Sequence, residues 1–444
     1  MNPSSISSAD RSELLRAGVF HTPDNPFRDA NALVTHTDGG LLIRHGKVVS
    51  CGDFAELHAA NPDAAVTDWR GGFVIPGMID THVHFPQVRV IGSLGYELLD
   101  WLEHSALPEE ARMSDARYAA QTAKLFVNSL ASHGTTTALV FGSHFAPATA
   151  CLFSAAANAG LRLISGLVLS DRNLRSDLHQ TPEQAYRDSA ALIKQFHDQP
   201  GLSYAVTPRF ALSTSEAMLE VCQTLLKENP GLGFQTHLNE NTSEITEVRK
   251  LFPSARNYLD VYAHFGLLSE RSVLAHNVHP EPEELACLAS LHASVAHCPS
   301  SNAALASGIF PMTKHIRTGV RFALGTDVGA GTGFSLMKES LQAYLMQRIA
   351  AGGMPLTAAH LLFLATRAGA EALGLDAEIG DFQSGKAADF VYLRPQPATP
   401  LAAIAEQADS AVRILSALFT LSDKECIQEV RVAGTQVYRR SLSE

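Results

Sequence analysis

Residues 73–84 read FVIPGMIDTHVH, an apolar run with β-branched residues that ends in two histidines two positions apart. In a strand the side chains alternate, so His82 and His84 point to the same side. Seven more apolar runs follow at intervals: TTTALVFG (135–142), RLISGLVLS (162–170), LSYAVTP (202–208), GLGFQTHL (231–238), SVLAHN (272–277), ASVAHCP (293–299) and RFALGTD (321–327). Helical stretches separate them, among them EEARMSDARYAAQTAKLFVNSLASHG (109–134) and TSEAMLEVCQTLLKENPG (214–231). Eight strand–helix repeats over about 300 residues predict an α/β chain built on a (β/α)8 TIM barrel. No GxGxxG or GxxxxGK phosphate loop follows the first strand, which argues against an open doubly wound sheet.

The ends have a different texture. ALVTHT (32–37), DGG (38–40) and LLIRHGKVVSCGD (41–53) alternate with glycine punctuation, the pattern of antiparallel hairpins turning at DGG. The same texture returns in AADFVYLRP and IQEVRVAGTQVYRR near the C-terminus. The expected organisation is a small β-sandwich domain built from both chain ends, 1–75 and 376–444, around a catalytic barrel at 76–375.

Composition fits that reading. The chain has 444 residues, 46% hydrophobic and 18% charged, as in a globular enzyme. A net charge of −11 opposes nucleic-acid binding, which needs a basic surface. The H-x-E…P-C-x-x-C signature of the nucleic-acid deaminases is also missing. No apolar run approaches the roughly 18 residues of a membrane span. The polar start MNPSSISSADRSELLRAG has no apolar signal core, and the six cysteines form no CxxC pair. A reduced, cytoplasmic protein is expected, and large barrels of this kind often form symmetric homodimers.

Barrel enzymes place functional groups at the C-terminal ends of strands. His82 and His84 end the first, His237 the fifth, His276 the sixth and Asp327 the eighth. Imidazoles with one carboxylate suit zinc, or alternatively iron. The fourth strand, LSYAVTPRF, has no lysine to bridge two metals, so one metal per subunit is expected. His292 and His297 read as structural histidines with ordinary hydrogen-bond partners. A non-catalytic scaffold of this fold typically lacks one or more ligands, whereas this set is complete. A small-molecule pocket beside such a centre needs apolar walls and a few fixed polar groups. Arg209 offers a donor fork for a carbonyl and Phe210 a ring to stack on. Gln87 offers a donor and an acceptor. Trp101 reads either as a closing wall or as a packing residue.

PGMIDTHVHFPQ, QTHLNE, LAHNVH and LGTDVG together resemble the amidohydrolase superfamily, over nearly the whole chain. Within it the likeness is greatest to the guanine deaminases, on Pro86–Gln87, LLDWLE (98–103), TPRFALS (207–213), HLNE (237–240) and CPSSN (298–302). AALASG (303–308) departs from the usual leucine-rich continuation and is expected to alter one pocket wall. The resemblance implies hydrolysis of guanine to xanthine and ammonia by a metal-activated water. It implies His82, His84, His237, His276 and Asp327 around the metal, with His237 also touching the purine. Asp327 would take the water's proton, and Glu240 would carry protons to the ring nitrogen and then to the leaving group. His279 reads as a second relay or as a partner orienting a ligand, and Glu244 as a surface acid. The alternative is an aminohydrolase for a pterin, a triazine or a modified purine, with the same metal set and other pocket contacts.

Overall fold

FVIPGMIDTHVH divides at Gly77 and serves two sheets. In the computed structural model, which describes residues 12–441, the N-terminal part supplies β1 (Glu13–His21), β2 (Val34–Arg44), β3 (Lys47–Asp53) and β4 (Ala65–Pro76). The polar start at 1–11 and the last residues, 442–444, lie outside the described residues. The barrel begins at β5 (Met78–His84) and continues through β6 (Thr135–Phe141), β7 (Arg162–Gly166), the short β8 (Val168–Leu169), β9 (Leu202–Pro208), β10 (Gly233–Leu238), β11 (Ser272–His276), β12 (Ser294–His297) and β13 (Arg321–Leu324). The chain then returns as β14 (Phe390–Leu393), β15 (Ile427–Val432) and β16 (Thr435–Arg439) to complete a seven-stranded sheet ordered β16-β15-β14-β4-β1-β2-β3. The predicted TIM barrel and the small β domain from both ends are both present.

A side chain at Gly77 has no room: a Cβ there would lie 2.2 Å from Thr136 Oγ1. The Gly77 amide donates to the Asp389 carbonyl at 2.9 Å, so the junction is fastened to the C-terminal end of the chain. The barrel strands pair in parallel from β5 to β13. They close where Thr81 Oγ1 donates to the Leu324 carbonyl, the Asp327 amide to His82 and the His84 amide to Val328, each at 2.9 Å.

Three local expectations are corrected. DGG is no turn: β2 runs through it, because Gly39 and Gly40 let Val19 and Leu14 of β1 pack close. The turn comes at His45–Gly46, both with positive φ, as a two-residue hairpin requires. The helix expected over 109–134 breaks at Asp115, whose carboxylate caps a fresh helix, Ala116–Ser132, through the amides of Arg117 and Tyr118. The residues before the break form a separate short helix, Leu107–Ala111, with Glu110 buried. The C-terminal part is not all β: Pro400–Gln407 and Ala411–Leu421 are helices, and Leu415, Leu418 and Phe419 join the barrel's core.

β1 itself, in the centre of the small sheet, lies in a segment read only as polar. Its last residue is buried: the Phe382 amide donates to His21 Nδ1 at 3.3 Å. Burial lowers the imidazole's pKa from 6.5 to about 4. Between those values the unfolded chain binds a proton that the folded chain refuses, so stability falls as pH falls through that window. The loss amounts to about 2 kcal/mol by pH 5. His21→Gln, which keeps an acceptor, should show a smaller drop in Tm between pH 7 and pH 5 than the parent. Equal drops would remove His21 from the acid response.

Candidate active site

His82 and His84 leave β5 on one face, and the end of β10 brings His237 beside them. His84 Nε2 lies 3.2 Å from Nε2 of both His82 and His237. Asp327 Oδ1 is 3.2 Å from His82 Nε2 and 3.3 Å from His84 Nε2, and its Oδ2 is 3.9 Å from His276 Nε2. All five side chains are buried, none more than 7% exposed. Ligand atoms of His82, His237 and His276, and of His82, His84 and Asp327, lie within 4.8 Å of one another. The structure therefore brings together every residue expected around the metal.

The donor chemistry fits a divalent cation. His237 Nδ1 is 2.6 Å from the Arg209 carbonyl and His276 Nδ1 is 3.0 Å from Asn302 Oδ1. Each Nδ1–H donates outward, which leaves the Nε2 lone pair facing the cluster. His276 Nε2 is buried and has no hydrogen-bond partner. Burial lowers the pKa of His84 and of His276 to about 4, so both rings are neutral. Burial alone would raise the Asp327 carboxyl, but His82 and His84 hold it ionised, well below its ordinary range. Converging lone pairs beside one carboxylate repel each other without a cation and bind one strongly.

The backbone is bent to make this convergence. Asn239, His276, Asn277 and Asp327 have φ between 46° and 74°, a left-handed conformation that costs a side-chain-bearing residue about 1–3 kcal/mol. Buried amides hold it: Asn239 Nδ2 donates to Glu284 at 2.7 Å and to Asn277 Oδ1 at 3.2 Å. Gly325 lets β13 approach, since a Cβ there would sit 2.7 Å from His82 Cβ.

Glu240 is buried beside the cluster, with Oε2 3.4 Å from His276 Nε2 and Oε1 unpartnered. Burial and the Asp327 charge raise its pKa well above the ordinary carboxyl range, which favours the protonated form. Glu244, expected at the surface, is fully buried. Its Oε2 accepts from the amides of Glu240 and Asn241 at 3.1 and 3.3 Å, and Tyr258 donates to its Oε1 at 2.7 Å. It closes a capping box at the helix Thr242–Leu251 and so fixes the segment that presents Glu240.

A cavity opens onto the cluster. Leu98, Trp101, Leu102, Phe210, Leu305 and Ala330 give it apolar walls; Gln87, Arg209 and Glu240 give it polar groups. Trp101 is thus a wall, and Leu305 places the AALASG segment at the pocket. His279 is not on the cavity: its Nε2 is 2.7 Å from the Ser307 carbonyl, where it braces that same segment. His297 stacks on Phe310 with ring centres 4.4 Å apart, away from the cavity lining.

Gln87 and Arg209 reach the pocket, but neither is a free fork. Both bind Glu110, a residue the sequence reading passed over inside the polar run EEARMSD. His144, at the end of β6, was also passed over; its Nδ1 is 3.4 Å from Glu110 Oε2. Burial alone would raise the Glu110 carboxyl, but the Arg209 guanidinium, with the Gln87 amide donating to it, keeps it below its ordinary value and ionised. Cys298 Sγ also lies within 4.8 Å of His276 and Asp327 ligand atoms, and its thiol is raised well above its ordinary value by burial.

Residues 73–437 match the model of the amidohydrolase family. The chain belongs to that family. Among curated amidohydrolases it is 54% identical to the probable guanine deaminase of Deinococcus radiodurans, over 96% of this chain and 99% of that one. Among solved structures, Escherichia coli guanine deaminase superposes with a TM-score of 0.91 at 38% identity, covering 97% of this chain and 99% of that one. Guanine deaminase from C. acetobutylicum, with guanine bound in its active site, gives 0.88 at 26% identity, covering 96% of this chain and all of the other. This amidohydrolase thus matches guanine deaminases over nearly its whole length.

Proposed function

We propose that this amidohydrolase deaminates guanine to xanthine and ammonia. The observation that carries the reading is the buried Glu240 standing between the ligand cluster and the pocket. Guanine deaminases matching along the whole chain support it, as does a relative with guanine in its active site.

His82, His84, His237, His276 and Asp327 would hold one zinc ion, the metal best suited to several imidazoles and one carboxylate. When bound, such an ion lowers the pKa of water from roughly 16 to about 7 and makes a nucleophile available at neutral pH. Asp327, held ionised, accepts the proton of the attacking water. Glu240 gives its proton to the ring nitrogen beside the attacked carbon, then takes up the proton left on the added hydroxyl and passes it to the departing amine, which leaves as ammonia while the carbonyl forms. The apolar walls keep bulk water from the reacting edge, and Phe210 and Trp101 face the flat base. Arg209 and Gln87 hold the polar edge of the purine, the guanidinium on the carbonyl. The same reading takes the enzyme as a cytoplasmic homodimer, supported by the unpaired state of its cysteines. No helix among the described residues is long and apolar enough to cross a membrane.

The test is to incubate zinc-loaded protein with guanine and follow ammonia and xanthine, with adenine, cytosine, guanosine and a pterin alongside. Guanine should be the base consumed. Consumption of another amino-heterocycle instead would keep the metal chemistry and overturn the pocket assignment.

A further inference from the structure

We propose that Glu110 is a positioning residue that fixes Arg209 and Gln87 as one preassembled reader of the purine carbonyl. The proposal rests on the reading of Arg209 as the group on that carbonyl.

The geometry is that of a hub. Glu110 is 2% exposed. Its Oε1 accepts from Arg209 Nη1 at 2.7 Å and from Gln87 Nε2 at 2.7 Å, and its Oε2 lies 2.9 Å from Arg209 Nη1. His144 Nδ1 stands 3.4 Å from Oε2 on the far side. Gln87 follows β5, His144 follows β6 and Arg209 follows β9, so one carboxylate ties together loops from three barrel strands.

The chemistry of the tie sets what the pocket can read. A carboxylate accepts and never donates, so it can face only the NH₂ end of the Gln87 amide. The other end agrees, since Gln87 Oε1 accepts from the Gly329 amide at 3.0 Å. One lone pair of Gln87 Oε1 is therefore engaged by the protein, and Gln87 keeps a second amide N–H for a ligand. Of the Arg209 guanidinium, Nη1 alone is engaged by side chains among the described residues, leaving donors on the remaining nitrogens. Both residues line the cavity. This edge of the pocket is rich in donors. It suits a purine with a carbonyl and rejects one with an amine in that place, which would set donor against donor. Without Glu110 the guanidinium would lose its buried counter-charge and the amide would be free to turn over.

The experiment compares guanine with 2-aminopurine, which lacks the carbonyl, and with 2,6-diaminopurine, which carries an amine there. The readout is the ratio of kcat/KM values within one zinc-loaded preparation, so the fraction of folded enzyme cancels. The parent should prefer guanine, and Glu110→Gln should cut that preference roughly 10- to 100-fold, mainly through the KM for guanine, with zinc content unchanged. Glu110→Asp, which keeps the charge on a shorter arm, should recover part of it. Arg209→Ala should lose the preference too, and the double variant should do no worse than Arg209→Ala alone. A collapsed ratio in Arg209→Ala beside an unchanged one in Glu110→Gln overturns the role of Glu110 alone. An unchanged ratio in Arg209→Ala overturns the carbonyl reading and this proposal with it.

Discussion

Glu240→Gln protein should keep its metal and its fold and lose turnover by roughly 10²–10⁴-fold, the usual worth of a positioned acid–base group. The substitution preserves volume and one oxygen while removing the carboxyl's exchangeable proton. That carboxyl sits 3.4 Å from His276 and has one oxygen with no protein partner. The side chain is anchored from behind by the backbone bonds that Glu244 accepts, which the glutamine leaves intact. Metal binding does not depend on it, because His82, His84, His237, His276 and Asp327 form the cluster without it. Metal content by atomic absorption, read beside kcat, separates the two roles. Turnover within a factor of about three of the parent would remove Glu240 from proton transfer.

Stripping the metal with a chelator should abolish turnover and lower the Tm, and one equivalent of zinc per chain should restore both. A ligand that binds only the folded state stabilises by RT ln(1 + [L]/Kd), about 4 kcal/mol when its concentration is a thousand times Kd. His84 Nε2 lies 3.2 Å from Nε2 of both His82 and His237, buried lone pairs that a bound cation would satisfy. The restoration should follow one metal per chain and saturate there. Full activity in a metal-free preparation would refute the assignment; saturation only at two equivalents would refute the single-metal reading.

The barrel was legible because each strand is a compact apolar run and several end in a residue that is costly to bury without purpose. Two histidines at i and i+2, then His237, His276 and Asp327 at later strand ends, announce a shared centre before any coordinate is known. What stayed hidden has physical reasons. Gly77 ends one sheet and starts another without interrupting the apolar pattern, so no periodicity marks the break. β1 went unread because Glu13 and Arg16 interrupt the apolar pattern of ELLRAGVFH, although the rest of the strand is buried. Glu244 looks like a surface acid because a buried capping carboxylate and an exposed one have the same neighbours in sequence. Its one signal was Asn241 three residues earlier, the start of a capping box. Glu110 had no local signal: its partners lie 23, 34 and 99 residues away, and only the closed barrel makes them neighbours.

The junction at Gly77 has a consequence for how the enzyme is made. The strand that ends in His82 and His84 continues directly from β4, and β4 pairs with β14, whose residues leave the ribosome near the end of synthesis. A nascent chain that has already produced every metal ligand still lacks the strand that clamps their base. All five candidate ligands therefore precede, in chain order, the strand that fastens the base of β5. Truncations at the far C-terminus would be felt first at the histidines near the start of the barrel.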